Sequence, residues 1–174
     1  MELWDIYDID RVKKDGYAVR GEPLTDGSCH MGAHICVFNS KGQLLIQKRV
    51  EHKSGYGGRW DLSAAGSALA GETSRQVAHR ELLEEIGIDY DFEGIRPHFT
   101  INRPNIFDDF YIIQKDVDIS RLTIQKEEVS EVRWAELSEI FELIEKKEFV
   151  PYYTELICLI FAMRGRYSSY RIEE

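Results

Sequence analysis

Three glutamates, Glu81, Glu84 and Glu85, are spaced so that a single helix would gather their carboxylates. On a helix of about 3.6 residues per turn, Glu81 and Glu85 project roughly 40° apart and Glu84 about 60° to the other side of Glu81. Leu82, Leu83 and Ile86 then fall on the opposite side, where they would anchor the helix in a core and aim the acids outward. Gly87 is placed to stop the helix. The clustering is costly. Like charges three or four residues apart destabilise a helix by a few tenths of a kcal/mol per pair, and carboxylates in the last turn oppose its dipole by about 0.3–1 kcal/mol each. A divalent cation removes both penalties, and Mg²⁺ and Mn²⁺ prefer the carboxylate and carbonyl oxygens that such a helix and its flanking loop supply. A bare acidic run also reads as a solvated face, so the residues around it decide.

The frame is Gly66, five residues, Glu72, seven residues, Arg80-Glu81, an aliphatic, any residue, Glu84-Glu85, any residue, Gly87 and an aliphatic. It resembles the Nudix box at every defined position. That resemblance implies an α/β fold, the Nudix-type α/β/α sandwich on a mixed β-sheet, with a loop-helix-loop that holds Mg²⁺ or Mn²⁺ against a diphosphate. It implies that Glu81, Glu84 and Glu85 bind metal and serve catalysis. It also implies that a main-chain carbonyl near Ala65 or Gly66, expected at Gly66, is a further ligand. Glu72 and Arg80 match the structural pair that ties loop to helix.

Outside the box, WDIYD at residues 4–8, His30, FNSKGQLLIQKR at residues 38–49, Lys53 and residues 60–72 resemble the isopentenyl-diphosphate isomerase branch of the same superfamily. Those isomerases place a catalytic cysteine before the box glycine and a metal-binding histidine after it; here the positions hold Ala65 and Ser67. Shifting a double bond needs a proton donor and an acceptor on opposite faces of the carbon skeleton, and alanine supplies neither. With the partner position taken by Ser67, His30 reads as an ordinary strand histidine, and His34 has no stronger case.

The chemistry expected is therefore metal-assisted hydrolysis of a phosphoanhydride, in which a divalent ion neutralises the leaving group and helps activate water. The substrate is a small anionic diphosphate compound, expected to be a nucleoside diphosphate derivative. An isoprenoid-diphosphate isomerase and a Nudix-fold binding module without turnover are the alternatives. An acid from another loop could assist the water, and Glu128, beside Glu127 before a predicted strand, is the candidate. Asp108 and Asp109 occupy a strand where the isomerases place acidic ligands, but alternation sends their side chains to opposite faces. Arg20, Arg49 and Lys53 are candidate phosphate-binding cations, with Arg59 a weaker one. Tyr56, Trp60 and Phe107 are aromatics that could stack on a base.

A chain of 174 residues, 43% hydrophobic, suits one domain with a sizeable core, here residues 1–174. The net charge of −9 argues against nucleic acid polymers, whose binding is built on a Lys/Arg surface. No signal peptide and no run of about 18 apolar residues is evident, so a cytoplasmic protein without a membrane partner is expected. Cys29, Cys36 and Cys158 form neither a disulfide framework nor a metal pair. A homodimer remains open.

The positioning elements follow from pattern. Residues 3–8 read as a strand, and turn chemistry at residues 13–16 suggests a hairpin with residues 17–19. Residues 31–38 and 44–46 flank the turn 39–42 as a second hairpin. Residues 50–59 are a glycine-bearing loop. After the box helix, residues 95–101 and 107–114 read as strands around a turn at 103–105, and 129–134 as a shorter strand. Residues 136–146 and 152–166 carry helical periodicity.

Overall fold

The computed structural model describes residues 1–170. The chain forms two compact units, each drawn from two stretches of sequence. The first is Met1–Ile35 with Ala64–Tyr111, and the second is Cys36–Ser63 with the chain from Ile112 on. Strands β3 (His30–Phe38) and β8 (Ile106–Gln114) each begin in the first unit and end in the second.

In the first unit, β1 (Leu3–Tyr7) and β2 (Lys13–Val19) form an antiparallel hairpin with Leu3 opposite Val19 and Trp4 opposite Ala18. The turn is not at residues 13–16 as expected. Lys13 already pairs with Tyr7, and residues 8–12 turn the chain, with Arg11 at φ 63. Asp8 holds that turn, its Oδ1 accepting the N–H groups of Asp10 (3.0 Å) and Val12 (2.8 Å). Tyr7 exchanges two backbone hydrogen bonds with Cys29, both 2.8 Å, so the hairpin is fastened to the start of β3. Along its first half β3 pairs antiparallel with β6 (Ala64–Ser67). β7 (Phe99–Arg103) and β8 pair from Phe99–Phe110 to Arg103–Ile106, so the strand expected at 95–101 starts four residues later and ends two residues later. The turn narrows to Pro104 and Asn105. Helix α1 (Ser74–Ile86) packs on β6.

In the second unit, β4 (Leu44–Arg49) pairs with β5 (Trp60–Asp61) and with β9 (Val129–Ala135). These ladders are antiparallel, and a parallel bridge joins Trp60 to Phe149. A 3-10 turn, Ile119–Arg121, precedes α2 (Leu137–Glu145) and α3 (Thr154–Met163). Among the described residues no helix is long and apolar enough to cross a membrane.

The central strands explain the strongest sequence signals. Ala33, Ile35 and Phe38 of β3, and Leu44, Leu45 and Ile46 of β4, are fully buried, as their continuous apolar runs require. β8 is buried along eight of its nine residues, and that run includes Asp108 and Asp109.

Candidate active site

The hydrogen-bond register of β6 sets this site. Ser67 lies opposite Gly32, Gly66 opposite Ala33 and Ala65 opposite His34. The Ala68 N–H donates to the Met31 carbonyl at 2.8 Å. In an antiparallel ladder bonded pairs alternate, so Gly66 turns its backbone groups toward Ala33, while Ala65 and Ser67 turn theirs away from β3. Both of the latter are taken up by α1. The Ala65 N–H donates to Glu85 Oε2 at 3.2 Å, and the Ser67 carbonyl accepts from Arg80 Nη2 at 3.1 Å.

α1 is fixed at both ends. At Thr73 the N–H donates to Gln76 Oε1 (2.8 Å) and the side chain caps the Gln76 N–H, a reciprocal arrangement worth about 1 kcal/mol. At the far end Gly87 adopts the left-handed conformation, φ 70 and ψ 22, that glycine enters without a Cβ penalty. The Gly87 and Ile88 N–H groups close on the Leu83 and Leu82 carbonyls.

The carboxylates are not all aimed outward. Glu85 is 2% exposed, the Glu81 side chain 13% and the Glu84 side chain 53%. The buried arc of the helix runs through Val77, Ala78, Leu82, Glu85 and Ile86, while Leu83, expected in the core, is 43% exposed. The angular reading placed the three aliphatics together, but the helix sits on β6 with its carboxylate side turned partly inward. Leu83 is thereby rotated out. The Glu81 carboxylate lies against Gly66 so closely that a β-carbon at position 66 would fall 1.9 Å from Oε1.

Arg80 organises the acids. Its Nε and Nη2 donate to the two oxygens of Glu72 (2.7 and 2.9 Å), and its Nη1 donates to Glu81 Oε1 (2.7 Å) and Glu84 Oε2 (3.2 Å). Burial pushes the Glu72 carboxyl up, but the Arg80 hydrogen bonds, the Leu69 N–H and the Arg80 charge outweigh it and hold the pKa below the usual range. The Glu72 hydrogen bond, foremost, raises that of Arg80. Among the described residues no three His, Cys, Asp or Glu side chains already form a metal cage. The donors do fit a hard cation by type: a buried carboxylate at Glu85, a nearly buried one at Glu81, and backbone oxygen from β6 beside them.

The other expected residues fall into two groups. In the first unit, Arg20 is half-exposed and paired with Glu2 at 2.5 Å. His30 is buried and stacked on Trp4, ring centroids 3.9 Å apart, and burial lowers its pKa. Asp108 contacts His34 (3.5 Å) and Arg103 (2.6 Å), whereas Asp109 takes Arg11 and the Thr100 hydroxyl. In the second unit, Arg49 meets Asp61 (3.3 Å) and donates to the Gly55 carbonyl (3.1 Å), and Lys53 is ion-paired with Glu128. Asp5 and Arg11 were missed. Their contacts lie 66 and 98 residues away, to Gly71 and Asp109, and no local pattern marks them.

The NUDIX domain model matches residues 29–157. The Nudix hydrolase lmo0368 of Listeria monocytogenes is 48% identical over 153 residues, which is 88% of this chain and 90% of that one. An isopentenyl-diphosphate Delta-isomerase of Pectobacterium atrosepticum is 33% identical over 102 residues, 58% of this chain and 55% of its own. The crystal structure of DR0079 from Deinococcus radiodurans superposes with a TM-score of 0.72 at 22% identity, covering 91% of this chain and 97% of that one.

Proposed function

The chain belongs to the Nudix family of hydrolases, which act on pyrophosphate bonds, and we propose that it is a divalent-metal-dependent enzyme cleaving the phosphoanhydride of a nucleoside diphosphate derivative. The whole chain acts as one Nudix domain, in the cytoplasm. The observation that carries this reading is the placement of Glu81 and Glu85 against the β6 backbone. Two carboxylates gathered by one helix against strand backbone, one of them, Glu85, only 2% exposed, offer the set of oxygen donors that a hard divalent cation takes.

Glu81, Glu84 and Glu85 would hold the metal. The main-chain ligand would be the Ala65 carbonyl rather than that of Gly66. The Ala65 N–H points at Glu85, and in a strand the carbonyl of the same residue leaves on the same side, whereas Gly66 faces Ala33. When bound, Mg²⁺ or Mn²⁺ supplies Lewis-acid neutralisation of the diphosphate and promotes attack by water. Glu84, the one box carboxylate open to solvent, exchanges the water's proton with bulk. Arg20, Arg49 and Lys53 bind phosphate oxygens. Glu128, ion-paired with Lys53, is the further acid assigned to assist the water.

The test is a panel of nucleoside diphosphate derivatives, dinucleotides and prenyl diphosphates with Mg²⁺ or Mn²⁺, scored by phosphate release and product mass for the wild type and Glu85→Gln. Cation-dependent cleavage that Glu85→Gln loses by at least about tenfold supports the reading. Cleavage without added cation, or wild-type turnover in Glu85→Gln, would overturn it.

A further inference from the structure

The turn that carries Glu72 is held from outside the matched family region. Its four N–H groups are all occupied. Leu69 donates to Glu72 Oε2 (2.8 Å) and Glu72 to the Leu69 carbonyl (3.0 Å), which closes the turn on itself. Ala70 donates to the Leu3 carbonyl (2.8 Å), and Gly71, at φ 87, donates to Asp5 Oδ2 (2.8 Å). Half of the turn's donors are therefore received by β1, whereas the family match starts at residue 29.

Asp5 is 3% exposed, and its other oxygen, Oδ1, is buried with no hydrogen-bond partner among the described residues. Its ion-pair partner Lys13 has a side chain 52% exposed, with Nζ 2.7 Å from Oδ2. A cross-strand ion pair that served only the hairpin could sit at the surface, where both groups keep their water. Turning the carboxylate inward forfeits solvation at Oδ1 and gains the Gly71 N–H. β1 is also a rigid mount: besides the Tyr7–Cys29 backbone pair, the hairpin tip is anchored by the fork of Arg11 on Asp109, a carboxylate with no exposed surface.

We propose that Asp5 is a positioning residue for the metal-binding carboxylates, acting through Gly71 on the turn, through the turn on Glu72, and through the Glu72–Arg80 fork on Glu81 and Glu84. The proposal rests on the assignment of those glutamates to metal. A residue at this remove sets the orientation of the ligands rather than their charge, so its removal weakens cation binding beyond any loss of stability.

The experiment is a Mn²⁺ titration of the full chain followed by the electron paramagnetic resonance of free Mn²⁺, with melting temperature recorded for each variant. Asp5→Ala is expected to weaken Mn²⁺ binding about tenfold. Asp5→Asn, whose amide oxygen can still accept from Gly71, should stay within about threefold. Lys13→Met loses the ion pair but not the Gly71 bond, and should melt lower with Mn²⁺ affinity unchanged. If Asp5→Ala does not fold, Asp5→Ser, too short to reach Gly71, makes the same comparison with Asn. Wild-type Mn²⁺ affinity in a folded Asp5→Ala or Asp5→Ser, with binding abolished in Glu85→Gln, would overturn the positioning role alone. Undiminished binding in Glu85→Gln would instead remove the metal assignment and the role of Asp5 with it.

Discussion

The carboxylate of Glu81 fills the space that any side chain at position 66 would need. A β-carbon built on Gly66 lies 1.9 Å from Oε1 and 2.0 Å from Cδ of Glu81, closer than real atoms approach. Gly66 is not among the residues with positive φ, so its backbone conformation is open to other amino acids. The glycine is demanded by the closeness of helix and strand. That closeness is also what brings Glu85 within 3.2 Å of the Ala65 N–H.

Gly66→Ala should therefore displace Glu81 or push β6 from α1. Overpacking of this kind costs about 1–3 kcal/mol. Thermal or urea unfolding should show that loss together with weaker Mn²⁺ binding. In the double variant with Glu81→Ala, the stability cost of Gly66→Ala should shrink, because the clashing atoms are gone. Additive losses in that cycle would show that the contact is not the reason for the glycine.

The Glu72–Arg80 pair predicts a pH dependence. Glu72 has its folded pKa held below the unfolded value of about 4.3, so its contribution is complete above that pH and is lost as pH falls through the folded pKa. Glu72→Gln should lower stability at pH 7 by about 1.5–3 kcal/mol, the usual size for a charged hydrogen-bonded group whose partner stays behind. The melting curves of wild type and variant should draw together only as pH falls below about 4.3 and on through the lower folded pKa of Glu72. A gap that persists there would mean that the charge of Glu72 is not what holds the loop. Lost activity with unchanged melting at pH 7 would point to direct catalysis.

The helix face is testable with adjacent leucines. Leu82 has no exposed surface and Leu83 is 43% exposed. Leu82→Ala should cost about 2–5 kcal/mol, and Leu83→Ala less than about 1 kcal/mol. Equal losses would place both leucines in the core and return the carboxylates to an outward face.

How much of this was legible in sequence depends on the range of the interactions. The box helix, its stop at Gly87 and the Glu72–Arg80 spacing are local, and all three appear where the pattern put them. Strand β6 was not read, because Ala64-Ala65-Gly66-Ser67 has no β-branched or aromatic residue; its pairing with β3 makes it a strand. Lys13 to Gly16 carry turn composition yet lie in β2, since Asp8 closes the real turn earlier. The inward tilt of Glu85 and the exposure of Leu83 depend on how α1 lies on β6, which helical angles alone do not specify. Asp5 and Arg11 reach partners far along the chain, where only the folded topology brings them.

The final prediction separates phosphorus chemistry from carbon chemistry. Ala65 and Ser67 stand opposite His34 and Gly32 on the strand beside the glutamates, and neither carries a group that titrates near neutral pH. Ala65 contributes only backbone there, with its N–H committed to Glu85. A proton donor and acceptor flanking a carbon skeleton are thus lacking at these two positions, while the carboxylates suited to a phosphate-bound cation are present. Incubation with isopentenyl diphosphate in deuterated water should give no deuterium-labelled dimethylallyl isomer. A nucleoside diphosphate derivative should be cleaved with Mg²⁺, and water carrying heavy oxygen should leave that oxygen in a phosphate-containing product, because attack is on phosphorus. Mass spectrometry reads both outcomes from one preparation. Enzyme-dependent isomer formation without diphosphate cleavage would overturn the assignment and place the proton-transfer groups on residues other than 65 and 67.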